Sequence, residues 1–186
     1  MATALAETRH TPEELLEMEA GHRFELINGN LVERNMGAKS ARVGLNTTRL
    51  LENFARQHDG GLVFPSDCGY QTFADDPTRV RYPDGSFIRK GRLTDDKAPV
   101  GHVRIAPDLM IEVVSPNDIA WQIDERVDDF LKAGTPLVWV IYPDTRSVHI
   151  YRQGGSSARL TAEAELTGED VLPGFTCKVA ELFAGI

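Results

Sequence analysis

Apolar positions along the 186-residue chain recur with two different spacings, and the switches between them mark out the elements. Thr11-Pro12-Glu13-Glu14 predicts a helix start: Thr11 can cap, Pro12 suits the first turn, and Glu14 completes a capping box. Gly21 stops this short helix. Phe24–Ile27 alternates, Asn28-Gly29 supplies a type I′ turn, and Leu31–Glu33 returns as a hairpin. From Lys39 to His58 the residues Val43, Thr47, Leu50, Leu51 and Phe54 keep helical spacing, which Gly60-Gly61 ends. Short strands are expected at 62–64, 69–73, 80–82 and 87–88, the last after a Pro83-Asp84-Gly85 break, with a loop over 90–105 that has room for one helical turn. Leu109–Val114 is a nearly continuous apolar run between Pro107 and Pro116, the pattern of a central buried strand. Asn117 or Asp118 can cap a helix over 118–133, whose stripe is Ile119, Ile123, Val127, Phe130 and Leu131. Leu137–Tyr142 predicts the next buried strand, followed by strands at 148–151 and 159–166 and a short helix at 179–183.

Strand, helix and strand over 109–142 have the size of a βαβ unit, so these two strands should be parallel with a right-handed crossover. The hairpins around them make the class α/β with a mixed central sheet flanked by helices. No repeat or low-complexity linker divides the chain, and Gly154–Ser157 reads as a hairpin loop. One domain over 11–186 is expected, with a loosely held N-terminus at 1–10. Hydrophobic residues at 41% and charged residues at 26% are ordinary for a globular domain. No apolar run approaches the roughly 20 residues of a membrane helix, and no secretory signal is visible. The two cysteines, Cys68 and Cys177, cannot build a disulfide framework or a structural zinc site, so a cytoplasmic home is expected. His10, His22, His58, His102 and His149 lack metal-ligand spacing, and no phosphate-loop, dinucleotide-binding or nucleophile-elbow motif occurs.

Net charge is −8, which excludes bulk electrostatic coating of nucleic acid. The charge is uneven, however. Residues 75–105 hold seven basic side chains against five acidic ones, whereas 108–130 hold seven acidic side chains against Arg126 alone. That order suits a metal site beside a phosphate-binding surface; two solvated faces are the competing reading.

Glu112 is the most informative residue. It lies inside Leu-Met-Ile-Glu-Val-Val, where an unpaired carboxylate would cost several kcal/mol or take up a proton. A metal ion or a cationic partner removes that penalty. Alternation places Asp108, Met110, Glu112 and Val114 on one face. Asp108 and Glu112 stand roughly 13 Å apart along the strand, too far to share an ion, so Asp108 reads as a local hydrogen bonder. Arg126 falls about 60° from Ile123 and about 40° from Phe130 around its helix, at the inner edge of the stripe. It therefore faces the sheet carrying Glu112, while Glu125, Asp128 and Asp129 are expected to point away. The competing reading is a structural Glu112–Arg126 ion pair. Asp84, at a strand break, can reach a metal held by a neighbouring strand, although Pro-Asp-Gly is also a common turn.

These residues stand in an order that resembles the Uma-type "putative restriction endonuclease" family of the PD-(D/E)XK nuclease superfamily, from Thr11 to Phe183. Phe24 to Leu31 is similar to Y-E-L-I-D-G-E-L, and Pro83-Asp84-Gly-Ser-Phe-Ile to P-D-x-x-F-I. Ala106 to Pro116 resembles A-P-D-L-x-x-E-V-x-S-P, and Val171 to Phe175 the closing L-P-G-F. Glu125-Arg126 through Phe130, Gly134 and Trp139 to Val140 resembles E-K-x-x-x-Y-x-x-x-G-V-x-x-x-W-x-V. The resemblance implies a restriction-endonuclease-like core and a metal-dependent endonuclease acting on nucleic acid, with DNA the expected substrate and the choice between DNA and RNA left open by the sequence. Asp84 and Glu112, with the backbone carbonyl of Val113, would hold Mg²⁺ or Mn²⁺, and Glu25 matches a glutamate facing the same site. Glu25 reads equally well as an exposed hairpin carboxylate. Arg126 stands where the family has lysine; arginine keeps the charge and can hold a phosphate but is essentially never a base. Arg79, Arg81, Arg89 and Lys90 would neutralise flanking phosphates. A homodimer is expected, since two sites cut two strands. A nuclease-fold binding module without catalysis, and a scaffold with a buried ion pair, are the alternatives.

Overall fold

The computed structural model describes residues 9–34 and 37–186. The predicted capping box forms at helix α1 (Pro12–Glu17): Glu14 N–H donates to Thr11 Oγ1 at 3.2 Å and Thr11 N–H to Glu14 Oε2 at 3.0 Å. Strands β1 (Phe24–Ile27) and β2 (Asn30–Glu33) make the expected hairpin. Its turn has φ of 50° at Asn28 and 78° at Gly29, the two positive values a type I′ turn requires. Residues 1–8 of the expected loose N-terminus lie outside the described residues, but His10 N–H is bonded to Gly29 O at 2.8 Å. Helix α2 (Ala38–Gln57) buries Val43, Thr47, Leu51 and Ala55, one face at four-residue spacing.

The main sheet runs β3-β4-β5-β6-β7-β8, from β3 (Gly61–Pro65), β4 (Gly85–Arg89), β5 (Leu109–Val113), β6 (Leu137–Tyr142), β7 (Ser147–Arg152) and β8 (Ser157–Thr161). Only β5 and β6 are parallel, joined by helix α3 (Ala120–Lys132) as the βαβ spacing predicts. Alternation along β5 divides the core. Leu109, Ile111 and Val113 pack with Val43, Leu51, Phe87 and Trp139 under α2. Met110 packs on the opposite face with Ile123, Val127 and Phe130 of α3. Glu112 shares that second face, so its carboxylate is turned toward α3.

Several expectations are corrected. Segments 69–73 and 80–82 are not strands; they meet only through isolated bridges, Tyr70 with Arg81 and Val103, and Val80 with Leu26. A ladder cannot extend here because Tyr82 N–H donates to the Glu25 carboxylate at 3.1 Å instead of to a neighbouring strand. The strand expected at 159–166 breaks into β8 and β9 (Glu165–Gly168), which pair with different partners. The partner of β9 is β10 (Leu172–Lys178), hidden in the sequence because Pro173-Gly174 reads as a turn. A register shift between Leu172 and Thr176 absorbs that dipeptide, with Gly174 at φ 86°. Helix α3 starts at Ala120 without a side-chain cap; Asp118 instead accepts from Ser115 N–H at 2.7 Å. Helix α4 (Val179–Leu182) closes the chain. No helix among the described residues is long and apolar enough to cross a membrane.

Candidate active site

The C-terminal end of β5 and the start of β4 meet at Asp84. Pro83 has no N–H to offer a ladder, and β4 begins only at Gly85, so Asp84 is free to turn its side chain along the strand edge. Its Oδ2 accepts from Val113 N–H at 2.7 Å, taking the place of a strand bond. In an extended strand the Val113 carbonyl faces the same edge as its N–H, toward Asp84. Gly85 permits this close packing: a Cβ there would lie 2.7 Å from Thr48 Cγ2 of α2.

Arg126 reaches in from α3. Its Nη1 donates to Glu112 Oε1, and its Nε lies 3.5 Å from Glu25 Oε2. Glu25 continues the network through Arg81, whose Nη1 donates to Glu25 Oε2 at 2.9 Å. Arg81 also donates from Nε and Nη2 to Asp129 Oδ2, at 3.0 and 2.6 Å, and Arg79 Nη1 donates to Asp129 Oδ1 at 2.8 Å. Glu112, Arg126, Glu25, Arg81, Asp129 and Arg79 thus form one alternating chain of charges between α3 and the β1–β2 hairpin.

Arg34, Tyr82, Asp84, Glu112, Val113, Asp118 and Arg126 enclose a cavity of about 10 Å³. This is room for about one water-sized occupant. The lining carries three carboxylates against two guanidiniums, so a proton or a cation is needed for balance. Glu112 Oε2 and Arg126 Nε are buried without hydrogen-bond partners. Burial pushes the Asp84 carboxyl up to about 6; the Val113 N–H, Arg34 and Arg126 oppose this, and Asp118 adds to it. Burial pushes Glu112 up to about 8 against the pull of Arg126, with Asp84 and Glu25 pushing the same way. At Glu25 burial also disfavours charge, but Arg126, Arg81 and the Tyr82 N–H outweigh it and hold the carboxyl below its usual range.

A stability profile follows. Between about pH 4.5 and 8 the folded chain binds more protons at Asp84 and Glu112 than the unfolded chain, so stability falls as pH rises through that window. Glu25 acts in the opposite sense, and only as pH falls below its unfolded value near 4.5. In chelator, the melting temperature should be several degrees higher at pH 5 than at pH 8, at about 2–4 °C per kcal/mol for a chain of this size. Glu112→Gln should flatten the slope; a flat wild-type profile would contradict the placement of these carboxylates.

The structure brings Asp84, Glu112, Val113 and Arg126 onto one cavity, with Glu25 one guanidinium away. Arg81, read in sequence as a phosphate contact, is corrected: it is 2% exposed and bound to three carboxylates. Asp129, expected to point away, is buried as its partner. Arg79 is largely buried between Asp75 and Asp129. Arg89 and Lys90 lie at the far end of β4, roughly 17 Å from Asp84 at ~3.4 Å per residue. Arg34 and Asp118 line the cavity and were missed. Arg34 directly follows β2, with its guanidinium 5.2 Å over the Tyr82 ring, and Asp118 reads as a helix cap. Neither has a spacing relation to Glu112, because tertiary packing alone brings them there. A second cavity of about 170 Å³, between α2 and the end of β3, shares Asp84. Among the described residues no group of three or more His, Cys, Asp or Glu side chains is placed to hold a metal.

A crystal structure described as a putative nuclease belonging to DUF820, from Anabaena variabilis ATCC 29413, is similar to this chain with a TM-score of 0.77. The two are 22% identical over 93% of this chain and 97% of the other, which establishes a shared fold. No curated protein matches. The family model "Uma2: Putative restriction endonuclease" matches residues 12–180, a span that contains Glu25, Asp84, Glu112 and Arg126, and the chain belongs to that family.

Proposed function

We propose that the protein is a metal-dependent endonuclease that hydrolyses phosphodiester bonds, with DNA as substrate. The observation that carries this reading is the cavity where two inward carboxylates, both held above their ordinary pKa by burial, are short of positive charge. The donor set fits Mg²⁺ or Mn²⁺: Glu112 Oε2 has no partner, Asp84 is fixed on the edge of β5, and all donors are oxygen. Asp84, Glu112 and the Val113 carbonyl would hold the ion, which when bound lowers the pKa of a water and offsets charge on the phosphate. The protein supplies the rest. Arg126 holds a permanent positive charge beside Glu112, which would offset charge on the phosphate. Glu25, held charged by Arg81, keeps the guanidinium of Arg126 oriented toward Glu112. The groove beside α2 extends from Asp84 and gives the substrate strand a path lined by Gly37, Ala41 and Gly44. A cytoplasmic homodimer remains part of the proposal, and light scattering at micromolar concentration tests the assembly.

The test is a Mg²⁺ and Mn²⁺ titration by thermal shift alongside cleavage of single-stranded and duplex DNA. At an ion concentration of 100 Kd, stabilisation should reach about 2.7 kcal/mol, and it should vanish in Glu112→Ala. The second reading, a nuclease-fold binding module, draws on one observation: the cation paired with Glu112 is an arginine, which cannot take a proton. Arg126→Lys decides between them. General-base assistance is typically worth ~10²–10⁴-fold, so the lysine variant should cut at least tenfold faster than wild type. If neither wild type nor Arg126→Lys exceeds the Glu112→Ala blank on any substrate, while DNA still binds, the module reading replaces the enzyme. A slower lysine variant would mean that Arg126 acts as a fitted phosphate clamp.

A further inference from the structure

At the end of the molecule away from Asp84, the C-terminal turn of α2, β4 and the start of β10 enclose a cavity of about 270 Å³. This approaches the lower end of the roughly 300–1,000 Å³ range of small-ligand sites. Its floor is apolar, with Phe87 and Leu172 buried in the core. One wall is a preformed aromatic surface. Phe54 and His58 stack with ring centroids 4.0 Å apart and planes 23° from parallel. The imidazole is fixed there by His58 Nδ1–H donating to Phe54 O at 2.9 Å. The rim is cationic. Arg89 lies on the same face of β4 as Phe87 by alternation, and Lys90 follows it.

The cations at this rim are paired within the chain: Arg89, Arg92 and Lys90 stand against Asp108, Asp59 and Asp96. The buried Asp108 carboxylate accepts from both Arg89 and Arg92, at 2.7 Å each, so two guanidiniums share one anion. Lys90 pairs with Asp59, which is 81% exposed, and Asp96 lies close by. Such a pair is worth little in water and is readily exchanged for another anion. The outer face of the aromatic stack, an apolar floor and an exposed ammonium whose partner is exchangeable match one ligand chemistry: a planar heteroaromatic ring carrying a phosphate.

We infer that this cavity is a nucleotide-binding site, separate from the candidate active site, with the base against Phe54 and His58 and the phosphate on Arg89 and Lys90. The inference does not rest on the nuclease reading. The same chemistry could come from a free mononucleotide or from one nucleotide of a strand whose scissile bond lies roughly 17 Å away, five strand residues along β4.

Isothermal titration of the full chain in chelator tests it, with 2′-deoxyadenosine 5′-monophosphate as probe and 2′-deoxyadenosine and inorganic phosphate as its halves. The mononucleotide should bind at least about tenfold more tightly than either half. His58→Ala and Lys90→Glu, both at exposed positions, should each weaken it by about fivefold or more, the lower bound for losing a base stack. Glu112→Gln should leave binding unchanged. A short oligodeoxynucleotide that displaces the mononucleotide identifies a strand as the source; failure to displace it identifies the free nucleotide. No binding, equal binding of 2′-deoxyadenosine, unchanged affinity in both rim variants, or loss of binding in Glu112→Gln each overturns the site. None of these results bears on whether the Asp84–Glu112 cavity cuts DNA.

Discussion

Glu112→Gln is expected to remove metal-dependent cleavage while leaving the fold intact. Glutamine keeps the shape of glutamate, and its amide oxygen can still accept from Arg126 Nη1. Arg126 also retains Glu25 as a counter-ion, so the substitution strands no buried charge. It removes the carboxylate proposed as a metal ligand. Loss of outer-shell partners of metal ligands already costs about 10–100-fold, so loss of a ligand should reduce cleavage by at least ~100-fold. The thermal shift on adding Mg²⁺ or Mn²⁺ should disappear with it. In chelator at pH 8 the variant should melt at or above the wild-type temperature, because burial no longer has to be balanced against a charged carboxylate. Circular dichroism would confirm that the fold is retained. Cleavage that survives in Glu112→Gln at the wild-type rate would place the chemistry elsewhere and sink the assignment.

Local rules carry most of the fold. The Thr11 box, the Asn28-Gly29 turn and the apolar run at β5 each depend on neighbours in sequence, and each forms where the pattern puts it. The failures share another cause. Tyr82 has the side chain of a strand residue, but its N–H is taken by Glu25, 57 residues away. β10 exists because β9 lies beside it across a bulge, a tertiary pairing that overrides the turn preference of Pro173-Gly174.

The candidate site divides in the same way. Glu112 is conspicuous because a carboxylate in an apolar strand violates burial, and Arg126 because it is the lone cation of the acidic stretch 108–130. Their meeting follows from two periodicities, 2 in β5 and 3.6 in α3. Arg81 and Asp129 show the limit of that reasoning. A basic residue in a basic stretch reads as surface, and an aspartate beside the apolar stripe of α3 reads as solvated. Together they are both buried, because each removes the cost of the other. Composition cannot reveal such pairs, since the two partners lie 48 residues apart and neither has a signature alone.

Arg81 therefore gives the sharpest contrast between sequence and structure, and Arg81→Met the largest expected loss of stability. A phosphate contact on the surface would lose affinity with no change in melting temperature. The buried guanidinium instead holds Glu25 at 2.9 Å and Asp129 at 2.6 Å, and its removal leaves both carboxylates short of a partner away from water. Breaking a buried pair in this way costs about 3–5 kcal/mol. At about 2–4 °C per kcal/mol the melting temperature should fall by roughly 6–20 °C. Arg81→Lys should recover only part of this, since an ammonium cannot reproduce the fork that reaches Glu25 through Nη1 and Asp129 through Nε and Nη2 together. Adding Asp129→Asn to Arg81→Met removes one stranded charge and should raise the melting temperature again. Should Arg81→Met be too unstable to purify, the Arg81→Lys and Asp129→Asn single variants and their double-mutant cycle measure the same coupling. A melting temperature unchanged in Arg81→Met would show that the guanidinium is not buried among these carboxylates, and with it would fall the support that keeps Glu25 charged beside Arg126.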